Sequence, residues 1–173
     1  MSISFKGGSP AAFLLLVGCN PTFSDYAVLS SDGGTTLIDV NCDTDTCAGD
    51  AVSFTLDLSQ HLAWPSGAEA ELLLYRVDYS LDSGEVPFFA DEISLLLAPG
   101  ESATFELALA GLDQRNTIGR STDHSVSGEA TITLAGYDPA NVSVEVSTTI
   151  PIQFEDVIGD SSDSTMDTGV SVN

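Results

Sequence analysis

The chain has 173 residues, enough for one domain with a substantial core but too few for two comfortable ones. Only 4 basic residues stand against 26 acidic ones, so the formal net charge is −22, and such a surface repels phosphate backbones and argues against nucleic-acid binding. A hydrophobic content of 43% argues against wholesale disorder. The acidity itself is open to three interpretations: a surface kept soluble by self-repulsion, adaptation to high salt, or binding of divalent cations.

The N-terminal segment has the pattern of an export signal. Lys6 supplies one positive charge, and Ala11 to Val17 form a short apolar run before Gly18 and Cys19. This run is far shorter than the roughly 20 residues that a membrane-spanning helix needs. The alternative is a buried first strand or helix of a cytoplasmic protein. Against it, the preceding Gly-Gly-Ser-Pro gives neither element a natural start.

Leu16-Val17-Gly18-Cys19 resembles the lipobox of prokaryotic lipoproteins. The resemblance implies that a signal peptide, residues 1–18, is removed and that Cys19 becomes the lipid-bearing first residue. The protein would then be exported and anchored by this lipid to a bacterial cell membrane, the outer one in a Gram-negative envelope, facing the periplasm or the exterior. Residues 19–25 would be a tether, and the only basic residues left would be Arg76, Arg115 and Arg120.

The rest of the chain is a series of short segments in which apolar and polar residues alternate, the period of half-buried strands. The pattern in Val52, Phe54, Leu56 and Leu58 is unbroken. Helical periodicity is absent throughout, and Gly111 to Ser127 form the longest polar connection. Strands are predicted at about 26–30, 36–42, 51–59, 69–80, 88–97, 101–109, 129–137 and 141–155.

Seven to eight such strands predict an all-β fold, an antiparallel β-sandwich spanning residues 26–156. Pro151 lies on the outward parity of the last strand, so that strand should have a free edge or a bulge there. Residues 157–173 have almost nothing to bury and should form a disordered acidic tail.

Two segments, Tyr75 to Tyr79 and Leu97 to Phe105 with its Pro-Gly turn, resemble immunoglobulin-like or fibronectin-III-like modules of bacterial envelope proteins. With Gly136-Tyr137-Asp138 and the final strand, the chain also resembles small uncharacterised bacterial lipoproteins built from one such domain. The resemblance covers roughly residues 35–156. It implies an immunoglobulin-like β-sandwich and transfers no active site.

Cys42 and Cys47 flank the turn between the second and third strands. If Cys19 carries the lipid, these two are an even remaining pair, and cysteines facing each other across a hairpin can form a disulfide in an exported protein. Two free structural cysteines are the alternative. A zinc site would need further cysteine or histidine ligands, and no second pair supplies them.

The same turn is rich in oxygen ligands whose spacing imitates an EF-hand calcium loop. It departs from that pattern because Thr44 replaces the glycine of the sharp turn, the last ligand is Asp rather than Glu, and the flanks read as strands. A weak calcium site therefore competes with a solvated acidic hairpin tip. The candidate ligands are Asp39, Asn41, Asp43, Asp45 and Asp50.

Catalytic motifs are lacking. There is no Gly-x-Ser-x-Gly element, His124 sits in a polar loop, and His61 precedes an apolar loop expected to cap one end of the sandwich. Arg76 is expected to form a cross-strand ion pair. The sequence therefore predicts a non-catalytic structural or protein-binding module, attached to the membrane through Cys19, whose partner is an unknown envelope protein or polymer. Gly111–Ser127 and Pro65–Gly67 are its candidate binding loops. A calcium-dependent adhesin and an enzyme or enzyme accessory subunit are the alternatives.

Overall fold

The structure is a computed structural model that describes residues 22–41, 51–62, 64–119 and 125–156. Within these residues the chain forms eight β-strands, one α-helix and one 3-10 helix at Phe23–Asp25. The strands are β1 Ala27–Ser31, β2 Thr36–Asp39, β3 Ala51–Leu58, β4 Ala70–Leu81, β5 Phe89–Leu97, β6 Ser102–Ala108, β7 Ser125–Tyr137 and β8 Ser143–Glu155; helix α1 is Leu112–Gly119.

The fold is an all-β sandwich, as the alternating pattern predicts. One sheet has three strands in the order β1-β3-β6, and the other has five in the order β2-β8-β7-β4-β5.

Two predictions about regular structure are wrong. The polar connection after β6 contains α1, which hydrophobic periodicity misses because Gln114 and Arg115 are among the side chains that it buries. The sandwich is also not wholly antiparallel, since β2 pairs with β8 in parallel. The chain crosses from one sheet to the other between β1 and β2, where Gly33 and Gly34 adopt positive φ angles of 68° and 134° that favour glycine.

Pro151 lies in β8 opposite Glu129 of β7, and β2 pairs with β8 only from Ile152 onward. The edge of β8 away from β7 is therefore unpaired at Pro151 among the described strands, which confirms the expected free edge. Proline has no backbone N–H to donate to a neighbouring strand, so the pairing of β2 with β8 does not extend to Pro151.

The core lies between the two sheets and is filled by the inward-facing side chains of the strands. A tyrosine of β4 adds a polar contact between the sheets, because the Tyr79 hydroxyl donates to the carbonyl oxygen of Leu109, just after β6. Fully buried residues include Ile38, Phe54, Leu56, Val77, Leu109, Ala130, Ile132, Leu134 and Phe154.

A register shift between Leu72 and Leu74 marks a β-bulge in β4. Opposite it, Gly136 of β7 pairs with Leu72. A Cβ at Gly136 would collide with the carbonyl oxygen of Glu71 and would lie 2.7 Å from the Leu72 Cα. The close approach of two backbones therefore requires glycine at this position.

Candidate functional site

One end of the sandwich is closed by aromatic side chains, and we call it the aromatic pole. It comprises the 3-10 helix, the loop at 59–69 between β3 and β4, and the turn at 138–142 between β7 and β8. Asp25 fixes the helix, because its carboxylate accepts a 2.6 Å hydrogen bond from the Thr22 backbone and a 3.1 Å bond from the Thr22 hydroxyl. Phe23, in the segment assigned to the tether, is buried and belongs to the core.

The rings of this pole form one continuous cluster. The Tyr26 ring centroid lies 4.3 Å from that of His61 and 5.4 Å from that of Trp64, and Phe23 lies 6.3 Å from Trp64. The antiparallel pairing of Ala27 with Leu58 places Tyr26 beside the loop that follows β3. His61 therefore lies in a loop that caps the sandwich, as its apolar surroundings predict.

A cleft of about 620 Å³ opens beside these rings and is bounded on its other side by the β7–β8 turn and the start of β8. The turn is shaped by Asp138, whose carboxylate accepts hydrogen bonds from the backbone N–H groups of Ala140 (2.8 Å) and Val142 (2.9 Å). Asn141 has a positive φ of 62°, which asparagine tolerates better than most residues.

Two apolar side chains project from the same pole. Leu62, next to His61 at the apex of the β3–β4 loop, is 101% exposed, and Val142 in the β7–β8 turn is 57% exposed. Among the residues that the structure describes, no neighbour covers Leu62. The backbone N–H of Trp64 donates to the His61 carbonyl and closes the short turn that contains Leu62.

A second surface is the outer face of β4 and β5, the free-edge half of the five-stranded sheet. Tyr137 of β7 and Leu96 of β5 stand opposite Glu71, and Leu74 stands one row further along the same face. Phe88 continues the face beyond Ala90. All four apolar side chains are exposed, and we call them the apolar stripe.

Arg76 lies within this stripe. Its guanidinium carbon is 4.3 Å from the Phe88 ring centroid, and its Nη2 is 2.6 Å from Oδ1 of Asp78 on the same strand. The predicted cross-strand ion pair is therefore wrong. Residues two apart on a strand share a face, so Asp78 reaches Arg76 without a partner strand.

The outer face of the three-stranded sheet is polar by contrast. Thr55 of β3 and Thr104 of β6 are opposite each other and share a hydrogen bond of 3.2 Å between their hydroxyls. The Ser30 hydroxyl donates to the Thr55 carbonyl at 3.4 Å. Asp57, Ser102 and Glu106 complete this face, on which β1 contributes the exposed Val28.

The opposite end of the sandwich, the helical pole, is closed by α1 and the loop at 82–88. Arg115 is 1% exposed and donates from Nη1 to the Asp39 carbonyl (2.8 Å) and from Nη2 to the Ala110 carbonyl (3.2 Å). Gln114 accepts from the Gly111 N–H and donates to the Phe88 carbonyl, both at 3.0 Å. Buried polar side chains therefore attach α1 to β2 and to the segment before β5.

The predicted calcium ligands fall partly within the described residues. Asn41 donates from its backbone to Asp39 at 2.9 Å and from its side chain to Asp156, a carboxylate that sequence spacing does not associate with this turn. Asp43, Asp45 and Asp50 lie outside the described residues. No group of three or more His, Cys, Asp or Glu side chains in the described part of the chain could hold a metal ion. The calcium site stays a prediction.

Other predictions also lie outside the described residues: the signal peptide at 1–18, lipidation at Cys19, the Cys42–Cys47 disulfide, the surface position of His124, and the disordered acidic tail at 157–173. None of the helices that the structure describes is long and apolar enough to cross a membrane.

A scan against protein-family models matches no family, and a search of curated proteins finds no matching sequence.

Proposed function

We propose that the chain is a lipid-anchored cell-envelope protein whose β-sandwich is a non-catalytic protein-binding module. Cys19 is its acylated first residue after removal of residues 1–18, and the sandwich is held at the membrane surface by that lipid. The partner binds the apolar stripe on the outer face of the five-stranded sheet.

The observation that carries the anchor is the position of the lipobox-like sequence relative to the fold. The buried Phe23 stands only four positions after Cys19. An acylated Cys19 would thus be only four residues from the core in the sequence. A signal cut before Cys19 would remove nothing that the described core uses.

The contrast between the two outer faces supports the partner surface. Leu74 is 54% exposed and Leu96 is 58% exposed, whereas the other sheet presents mainly hydroxyls and carboxylates in the equivalent positions. Exposed apolar side chains that lie together, rather than singly, mark interaction surfaces. The stripe also borders β5, an edge strand, and an edge can accept an added strand.

The acidic side chains on this face indicate what the partner carries. Glu71 lies between Tyr137 and Leu96, and Glu92 lies opposite Leu74. A partner with an apolar strand or ridge rimmed by lysine or arginine would complement both features. Of the two loops predicted to bind, the first half of Gly111–Ser127 is instead α1, which packs into the fold through Arg115.

The anchor is tested by mass spectrometry of the protein from the membrane fraction. We expect acylated Cys19 as the N-terminal residue, with Cys19→Ser moving the protein to the soluble fraction. A membrane-fraction protein that retains residues 1–18 and an unmodified Cys19 would contradict the proposal.

The partner surface is tested by placing a photo-crosslinking residue at Leu96 or, as a matched control, at Thr104 on the polar face. We expect a discrete protein adduct from position 96 and none from position 104 in cells that make the protein. Equal adducts at both positions would indicate random collision and would contradict a specific site on the stripe.

A further inference from the structure

The aromatic pole is also the end of the sandwich from which the chain leads to Cys19. Between Cys19 and Thr22 there are three Cα–Cα steps, which span at most about 11 Å when fully extended. This inference rests on the proposed function, because it takes Cys19 to be acylated. With the lipid in the bilayer, so short a connection leaves the aromatic pole facing the membrane surface.

We propose that the aromatic pole docks into the interfacial region of a zwitterionic bilayer, with Leu62 and Val142 inserted and the Trp64–Tyr26 rings at headgroup level. The geometry selects this occupant over a soluble partner, since the connection to the lipid leaves little room for a protein between the pole and the membrane.

The side chains at the pole fit this environment. Leu62 is 101% exposed and Val142 is 57% exposed, and they project from the two loops that flank the cleft. Behind them lie Trp64 and Tyr26, whose ring centroids are 5.4 Å apart. Tryptophan and tyrosine favour the membrane–water interface because each ring has an apolar body and a polar group.

Charge determines which lipid the pole accepts. Asp138 and Glu145 line the cleft, and Asp25 lies in the adjacent 3-10 helix. The described residues of the pole include no lysine or arginine. Anionic headgroups repel such a surface, whereas phosphatidylcholine or phosphatidylethanolamine carries no net charge. Docking should therefore be strong on neutral vesicles and weak on vesicles rich in phosphatidylglycerol.

Docking at this end would place the rest of the molecule in a defined orientation. The helical pole would point away from the bilayer, and the apolar stripe would stand along the side of the sandwich, accessible to a partner. The two surfaces have separate tasks, so variants at one should leave the other unchanged.

The chain contains its own probe, because Trp64 is its single tryptophan. The acylated full-length mature protein is reconstituted into phosphatidylcholine vesicles with and without brominated acyl chains, and Trp64 fluorescence is recorded. We expect a blue-shifted emission that brominated lipid quenches, and we expect phosphatidylglycerol vesicles to reduce both effects.

Leu62→Ser should remove most of the quenching. Leu37→Ser is the matched control, since Leu37 is an exposed leucine on β2, away from the aromatic pole, and should keep it. Both variants should unfold at the wild-type denaturant concentration, which excludes misfolding as the cause.

The outcomes separate the two proposals. Acylated protein that stays on the vesicles while Trp64 remains unquenched overturns the docking inference and leaves the anchor intact. Absence of an acyl group on Cys19 overturns both. Quenching that Leu37→Ser reduces as much as Leu62→Ser does would place the contact elsewhere and overturn the docking inference.

Discussion

The two poles of the sandwich are closed by different kinds of interaction. At the aromatic pole, rings from two chain segments pack against one another beside an open cleft. At the helical pole, the buried Arg115 donates to the Asp39 and Ala110 carbonyls, and the buried Gln114 donates to the Phe88 carbonyl. Rings can lose a neighbour and still be solvated, whereas a buried carbonyl that loses its donor is left without compensation. The helical pole is therefore the structural end, and the aromatic pole can be committed to a surface function.

The largest expected effect is at the helical pole. Arg115→Met keeps much of the side-chain volume but removes the donors to the Asp39 and Ala110 carbonyls. Hydrogen bonds to a charged group are worth about 1.5–3 kcal/mol, so we expect a loss of about 3 kcal/mol in the free energy of unfolding. Urea denaturation measures it.

Arg76, the other arginine among the described residues, serves as the control for Arg115. Arg76 and its partner Asp78 are both about half exposed, and exposed ion pairs contribute only about 0–1 kcal/mol. Arg76→Met should therefore change stability little. If both variants lost equal stability, the role assigned to the buried Arg115 would be wrong.

A smaller loss is expected from a single methyl group at the aromatic end of β7. Gly136→Ala forces the backbones of β7 and β4 apart at the bulge, because its Cβ would lie 2.7 Å from the Leu72 Cα. Overpacking of this kind costs about 1–3 kcal/mol. Thermal unfolding should show a clear decrease in Tm.

Gly119→Ala, at the helical pole, is the matched control. There a Cβ would lie 3.9 Å from the Val40 carbonyl oxygen, an ordinary contact, and alanine favours a helix more than glycine does. This variant should be neutral or slightly more stable. A loss as large as that of Gly136→Ala would show that the clash at the bulge is not the cause.

The positions of the strands could be predicted from the sequence, but which strands pair with one another could not. Apolar and polar residues alternate in β3 and β4 because one face of each strand is buried. This pattern is visible in consecutive residues of the sequence. The parallel pairing of β2 with β8 depends on where the chain crosses between sheets, which Gly33 and Gly34 permit but do not specify. Helix α1 was not predicted because Gln114 and Arg115 occupy its buried face. With polar residues there, the segment lacks the hydrophobic periodicity of a helix.

The candidate sites likewise combine contacts that are local in the sequence with contacts that strand pairing creates. The sequence placed His61 and Trp64 in a capping loop, but their contact with Tyr26 follows from the register of β1 against β3, a long-range fact. Likewise Asp156 meets Asn41 because β2 and β8 end side by side. Sequence spacing can identify side chains that meet within one turn, but it cannot identify those that the pairing of distant strands brings together.

Alkaline pH tests the polar links near the helical pole. Burial, and next the Asp91 carboxylate, raise the pKa of Tyr75 to about 12, and burial together with Tyr75 raises the pKa of Tyr79 above its ordinary value. An unfolded tyrosine ionises near pH 10, so between pH 10 and 12 the unfolded chain releases protons that the folded chain retains. Stability contributed by the neutral tyrosines is complete below pH 10 and declines as pH rises through this window.

In this window the free energy of unfolding should decline by roughly 1 kcal/mol per pH unit for each of Tyr75 and Tyr79. Tyr79→Phe also removes the hydrogen bond to the Leu109 carbonyl, so it should lower stability at pH 8 while flattening the slope above pH 10. Tyr137→Phe changes an exposed side chain and should keep the wild-type slope. Denaturation midpoints at pH 8, 10 and 11 separate these effects. If the slope of Tyr79→Phe matched the wild type, titration of the buried hydroxyl would not be what limits alkaline stability.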